Sequence, residues 1–160
     1  SSDLGAIGRR VAEIARAFGA KVIYYSASGA PAQEGYEQVD FETLLTQSDI
    51  ISVHAPLNEH TEGLINSKAF EKMKSSCIFL NLGRGPIVDE QALYNALVKN
   101  QIAAAGLDVL CKEPMSADNP LLKIKDSKRL LITPHIAWAS VEARTHLMEI
   151  IHKQVKDFFA

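Results

Sequence analysis

Five short apolar runs punctuate this chain, and helical segments separate them: "KVIYY" (21–25), "DIISVHAP" (49–56), "CIFLNLGRG" (77–85), "AAAGLDV" (103–109) and "LLITPH" (130–135). Each is too short and too continuous to be one face of an amphipathic helix, so each reads as a buried strand. Between them, Val11, Ile14, Ala15 and Phe18 recur at helical spacing until Gly19 stops the helix, and "DEQALYNALVKN" (89–100) is a helix that opens on acidic residues. Strands that alternate with helices in this way build a parallel sheet covered on both faces. The segment from Val141 to Phe159 is an amphipathic closing helix, with Leu147, Met148, Ile151, Val155 and Phe158 on its apolar side. The stretch "CKEPMSADNP" (111–120), with two prolines and an Asn, breaks all periodicity and reads as a surface loop.

The 160 residues, 47% hydrophobic and 22% charged, suit one domain with a single core. A net charge of -2 provides no basic excess for a phosphate backbone, and no apolar run reaches the roughly 20 residues of a membrane span, so nucleic acid and membrane are not expected as partners. Cys77 and Cys111 form no CxxC pair, and both read as structural thiols in a reducing cytoplasm. His54, His60, His146 and His152 lack neighbours at ligand spacing, so no metal is expected.

The chain opens on "SSDLGAIGRR". In a dinucleotide-binding turn, glycines allow a tight bend and let backbone N–H groups approach a pyrophosphate at a helix N-terminus. Gly5 and Gly8 occupy the second and third glycine positions, with Ala6 and Ile7 between them, while Asp3 stands at the first. Two glycines alone also suit an ordinary helix start; the helix and strand that follow are what the nucleotide reading requires. The acid that would grip the adenosine ribose is due near the end of the next strand, where "YYSASG" places Ser26 and Ser28 instead. A serine bonds a 2′-hydroxyl weakly and does not repel a 2′-phosphate, so NAD and NADP both stay open; these serines equally suit a turn.

Further along come "NLGRGPIVDE", "GLDVLCKEP" and "TPHIAWAS" followed by "EAR". In this order, after a nucleotide loop, they resemble the D-isomer-specific 2-hydroxyacid dehydrogenase family over essentially the whole chain, and most of all its members that reduce hydroxypyruvate or glyoxylate. The resemblance implies a Rossmann-type doubly wound parallel α/β sheet over residues 1–138 and a helix over 139–160 that returns toward a separate substrate domain. It also implies that Arg84 binds the substrate carboxylate and polarises its carbonyl, that His135 is the acid/base, and that Glu113 orients His135. Asp108 would face the nicotinamide carboxamide, with Leu82, Gly83, His54, Pro56 and Thr61 along the cofactor. Trp138 would stand at the lip of the substrate pocket, unless it packs as an anchor for the last helix. The partners implied are a small 2-keto or 2-hydroxy acid and a second copy of the chain.

The chemistry points the same way. Reduction of a 2-keto acid needs a hydride from a nicotinamide, a proton for the forming alkoxide and a cation for the carboxylate. Arginine suits the last because its planar fork takes both carboxylate oxygens. Arg84, Glu113 and His135 each follow a predicted strand, on the carboxyl edge where an open parallel sheet binds its ligand. A non-catalytic NAD(P)-binding or cofactor-sensing module, like the related corepressors, is the alternative reading of the same residues. In the doubly wound order the first strand is central and directly precedes the phosphate loop. With no such strand ahead of Gly5, its two neighbours are expected to keep open edges in mid-sheet.

Overall fold

The computed structural model describes residues 4–29 and 31–159, in which six parallel-paired strands alternate with five α-helices. Ser1, Ser2 and Asp3, the last of which stands at the first glycine position, lie outside the described residues. The order is α1 (Ala6–Ala17), β1 (Ile23–Tyr24), β2 (Glu37–Gln38), α2 (Phe41–Gln47), β3 (Ile50–Val53), α3 (Ser67–Lys72), β4 (Ile78–Asn81), α4 (Glu90–Val98), β5 (Ala104–Leu107), β6 (Leu130–Ile132) and α5 (Val141–Phe158). β3, β4, β5 and β6 form one parallel sheet in that order, and β1 and β2 form a second. The register is regular: Ile50, Ile78 and Ala104 stand side by side, as do Val53, Asn81 and Leu107.

Among the described residues no strand pairs with β1 on the side away from β2 or with β3 on the side away from β4. The two edges line one cavity of about 450 Å³, closed by Leu4, Gly8 and Ala12 on the α1 side and by Leu44 of α2.

The core lies on one face of the larger sheet. Phe79 of β4 meets Phe70 of α3 edge-on at 5.5 Å, and both are wholly buried with Leu93 and Leu97 of α4. Burying a side chain of this size contributes roughly 1.5–3 kcal/mol. The opposite row, Ile50, Ile78 and Leu131, is exposed, so the expected cover on both faces is found on only one. The closing helix α5 buries none of its residues in this chain.

Three further elements depart from the sequence reading. The run 21–25 shortens to the two residues of β1, whose partner β2 has the polar sequence Glu37–Gln38 and gives no strand signal. The helices α2 and α3 are short, but each has a capping signal: Asp40 accepts from the Thr43 N–H at 2.7 Å, and Asn66 from the Lys68 N–H at 3.0 Å. In the 111–120 loop, Asn119 is buried rather than on the surface. It donates from Nδ2 to Glu90 at 2.7 Å and accepts from the Leu121 N–H, which starts a 3₁₀ turn at Pro120–Lys123.

Candidate active site

Ser26 after β1, His54 after β3, Leu82–Gly83–Arg84 after β4, Asp108 after β5 and His135 after β6 stand where the chain leaves the carboxyl end of a strand, whereas Glu113, expected at such an exit, lies further along the loop that follows β5. Parallel strands put these ends on the same edge. There a groove of about 450 Å³ is lined by Ile7, His54, Pro56, Leu82, Gly83 and Arg84, with Ala55 and Leu57. Gly5 is the N-cap of α1 and makes no side-chain cap bond, and no acidic residue lies in the first turn, so the first-turn N–H groups are left for another acceptor. A Cβ on Gly5 would meet nothing within 4 Å. Gly8 is turned inward and lines the inter-sheet cavity.

Not every cofactor-side residue offers its side chain. Thr61 is wholly buried; its hydroxyl donates to the Pro56 carbonyl at 2.6 Å and accepts from the Asn58 N–H at 2.9 Å, so it shapes the 56–61 turn from within. His54 is half-buried and bonded to Ser52 Oγ at 2.9 Å, and burial pushes its pKa down. Ser26 is buried, with its hydroxyl 3.5 Å from that of Ser28. No group of three or more His, Cys, Asp or Glu suited to a metal ion occurs among the described residues.

The structure brings Glu113 and His135 together across 22 positions of sequence: Glu113 Oε2 lies 2.8 Å from His135 Nδ1, and Glu113 Oε1 accepts from the Leu110 N–H at 2.9 Å. Both side chains are only partly exposed. Since Nδ1 faces the carboxylate, Nε2 is the nitrogen left to exchange a proton with a ligand. Arg84 is exposed, its guanidinium bonded to the Gly83 carbonyl at 2.8 Å, and makes no direct contact with this pair. The two loops nevertheless touch, because Gly85 lies against the Leu110–Cys111 peptide so closely that a Cβ would come within 2.0 Å of Leu110 backbone atoms.

Two supports escaped the sequence reading. Glu90, at the start of α4, accepts from the Cys111 N–H at 2.7 Å as well as from Asn119, so it fixes both ends of the loop that contains Glu113. Acidic residues at a helix start are read as favouring the dipole, and only the fold shows that this one reaches outward. Cys111 donates to the Val88 carbonyl, and burial with Glu90 nearby pushes its thiol up to about 11, which agrees with a structural thiol. Trp138 is exposed rather than packed, with Nε1–H donating to the His135 carbonyl at 2.9 Å.

The carboxylates around His135 sit below their ordinary range. Burial opposes ionisation of Asp108, but bonds from Thr133, Ala137 and Ile136 outweigh it; Glu113 is lowered by the Leu110 N–H and then by His135. A depressed folded pKa gives a stabilisation that is present above the unfolded value and lost as pH falls through the folded one. The 133–138 turn should therefore stay ordered through the usual carboxylate range near pH 4 and loosen only below it. Trp138 is the single tryptophan, so its emission followed against pH reads this turn. A transition centred above pH 4.5 would contradict the assignment.

A parallel α/β domain with a nucleotide-type helix start, and with a histidine–glutamate pair at its strand-end edge, has the form of a dinucleotide-binding domain. Residues 3–137 match the family model of the NAD-binding domain of D-isomer specific 2-hydroxyacid dehydrogenases, and the chain belongs to that family. It is 45% identical over 156 residues to a hydroxypyruvate reductase of Blautia hydrogenotrophica, covering 96% of this chain and 48% of the relative. Among solved structures it is similar to the D-lactate dehydrogenase of Aquifex aeolicus complexed with NAD and lactic acid, at 31% identity and a TM-score of 0.88, covering 98% of this chain and 51% of the other. It is also similar to an NADPH-dependent glyoxylate/hydroxypyruvate reductase of Sinorhizobium meliloti in complex with NADP and malonate, at 30% identity and a TM-score of 0.88, covering 98% and 48%. The chain thus spans about half the length of the relatives it matches.

Proposed function

We propose that the full-length protein containing this chain transfers a hydride between NAD(P)H and a small 2-keto acid such as hydroxypyruvate or glyoxylate, giving the D-2-hydroxy acid. The observation that supports this most is the Glu113–His135 pair on the same sheet edge as the Arg84 loop. A dinucleotide suits the residues present, with its pyrophosphate at the uncapped N-terminus of α1 and its nicotinamide end in the groove of Ile7, Pro56, Leu82 and Gly83. When bound it supplies or accepts the hydride at C2 of the substrate.

This chain's residues do the rest. Arg84 holds the substrate carboxylate in a two-point ion pair and draws electron density from the adjacent carbonyl. His135, with Nδ1 held by Glu113, delivers a proton from Nε2 to the carbonyl oxygen as C2 is reduced, and takes it back in the oxidation direction. Trp138, exposed beside His135, limits substrate size at the pocket lip. Asp108 has one lone pair left on Oδ2 for a carboxamide. The absence of an acid at Ser26 predicts use of both NADH and NADPH, with affinities within about 10-fold. A homodimer, implied by the family resemblance, and a cytoplasmic setting, from the cysteine usage, complete the reading.

The test is a titration of the full-length protein with NADH and NADPH by nicotinamide fluorescence, followed by hydroxypyruvate or glyoxylate in the same cuvette. Binding and then loss of 340 nm absorbance is the expected result. Binding without oxidation of either nucleotide by any small 2-keto acid would leave a cofactor-sensing module and end the dehydrogenase reading.

A further inference from the structure

Glu113 meets His135 from a loop that has no ladder or helix of its own. The chain from Cys111 to Asn119 lies between β5 and the 3₁₀ turn at Pro120–Lys123, and Lys112, Glu113 and Pro114 in its first half are exposed. A carboxylate on an unanchored surface loop samples many positions. Glu90 anchors this one at both ends: Oε1 accepts from the Cys111 N–H at 2.7 Å, and Oε2 accepts from Asn119 Nδ2 at 2.7 Å. The start of α4 does not itself need that side chain. Asp89 already caps the helix, accepting from the Ala92 N–H at 2.9 Å, and supplies the negative charge favoured there. The anchor points are firm. The Asp89 N–H bonds the Ile65 carbonyl at 3.0 Å and Val88 pairs with Ile65, which fixes the start of α4 to the chain before α3. Asn119 is buried, and its Oδ1 is taken by the Leu121 N–H at 2.9 Å. At the other end, the successive N–H groups of Leu110 and Cys111 go to Glu113 and Glu90 in turn, which ties the place of one carboxylate to that of the other.

We propose, on the dehydrogenase reading, that Glu90 is a positioning residue for the acid/base pair: by holding Cys111 and Asn119 it fixes the loop from which the Glu113 carboxylate meets His135 Nδ1. Glu90 lines neither the groove nor the inter-sheet cavity, so its action passes through Glu113. A carboxylate suits the task because both of its oxygens accept, and each bond is strengthened by the charge. Glutamine would keep one acceptor for the Cys111 N–H and turn an N–H₂ toward that of Asn119, leaving a donor facing a donor. Alanine would release both ends of the loop. Misplacement of a group at a reacting centre by about 1 Å can lower turnover by about 10²-fold, and a loosened loop displaces Glu113 by part of that on average.

The test uses the full-length protein as parent, E90A, E113A and the double variant E90A/E113A, with E90Q as a milder substitution that reports even if E90A folds poorly. Three quantities are measured: kcat with hydroxypyruvate, the Kd of NADH by nicotinamide fluorescence, and the proton NMR resonance of His135 Nδ1–H. A bond to a carboxylate moves that resonance downfield, and E113A identifies it by its loss. The expected result is a fall in kcat of about 10-fold in E90A and about 3-fold in E90Q, with the Kd within about 2-fold of the parent and the resonance moved upfield in both. In the E113A background the E90A change should alter kcat by less than about 2-fold, because residues that act through one contact are not additive. A further loss of about 10-fold in that background would overturn the proposal and make Glu90 a support of the fold at large. Parental kcat and an unmoved resonance in E90A and E90Q would overturn it as well. A parent that binds NADH but oxidises it with no 2-keto acid would instead sink the dehydrogenase reading, and the resonance would then still decide whether Glu90 places Glu113.

Discussion

Gly85→Ala should cost the protein about 3 kcal/mol of stability and most of its activity, although the change adds a single methyl group. The methyl would lie 2.0 Å from the carbonyl carbon and oxygen of Leu110 and 2.4 Å from the Cys111 nitrogen, all backbone atoms that cannot rotate aside. The peptide it would push is the one whose neighbouring N–H groups bond Glu113 and Glu90. Displacing it would loosen the loop that aims Glu113 at His135, while the 3₁₀ turn Gly85–Ile87 would shift the Arg84 loop the other way. One substitution thus disturbs both sides of the site. Two neighbours in kind provide the scale: Gly83→Ala meets the Ala55 carbonyl at 3.0 Å and should be mildly destabilising, and Gly5→Ala meets nothing and should cost least, losing only the preference for glycine over alanine at a helix N-cap. Urea unfolding of the three variants should rank them Gly85, Gly83, Gly5. A Gly85 variant as stable as the parent would mean that the two loops are not in contact.

His135→Gln is expected to lower kcat for 2-keto acid reduction by about 10²–10⁴-fold while leaving the NADH Kd within about 2-fold. Glutamine preserves much of the shape and can still bond Glu113 Oε2, so what it removes is proton delivery from Nε2. Glu113→Gln separates orientation from proton transfer: the ring keeps a hydrogen-bond partner and loses the carboxylate, so a smaller loss, about 10–100-fold, should follow. Steady-state kinetics on both variants decides the matter. Equal losses would mean that Glu113 touches the reacting atoms itself, and no loss in His135→Gln would move the acid/base elsewhere.

The strand ends were legible because parallel strands buried in an α/β domain are apolar runs with polar or glycine-rich exits, and chemistry collects at those exits. That is how the sequence alone puts Arg84, Glu113 and His135 on one edge, while Asp108 comes from the resemblance. The Glu113–His135 contact rested on resemblance, since no local pattern tells a loop carboxylate which of several histidines it faces. Glu90 was illegible as a support for a related reason: its partner at Cys111 is a backbone N–H group far along the chain, and nearly every residue type has one. The short helices α2 and α3 could have been found from Asp40 and Asn66, whose side chains cap them. β2 could not, because Glu37 and Gln38 are strand residues only by virtue of lying beside β1.

Glu90 makes the first turn of α4 part of the site, because its two carboxylate oxygens bond the Cys111 N–H and Asn119 on either side of Glu113. The helix and the loop are then one cooperative unit in local opening. The Cys111 amide should exchange its hydrogen at the pace of α4 rather than at the pace of a surface loop.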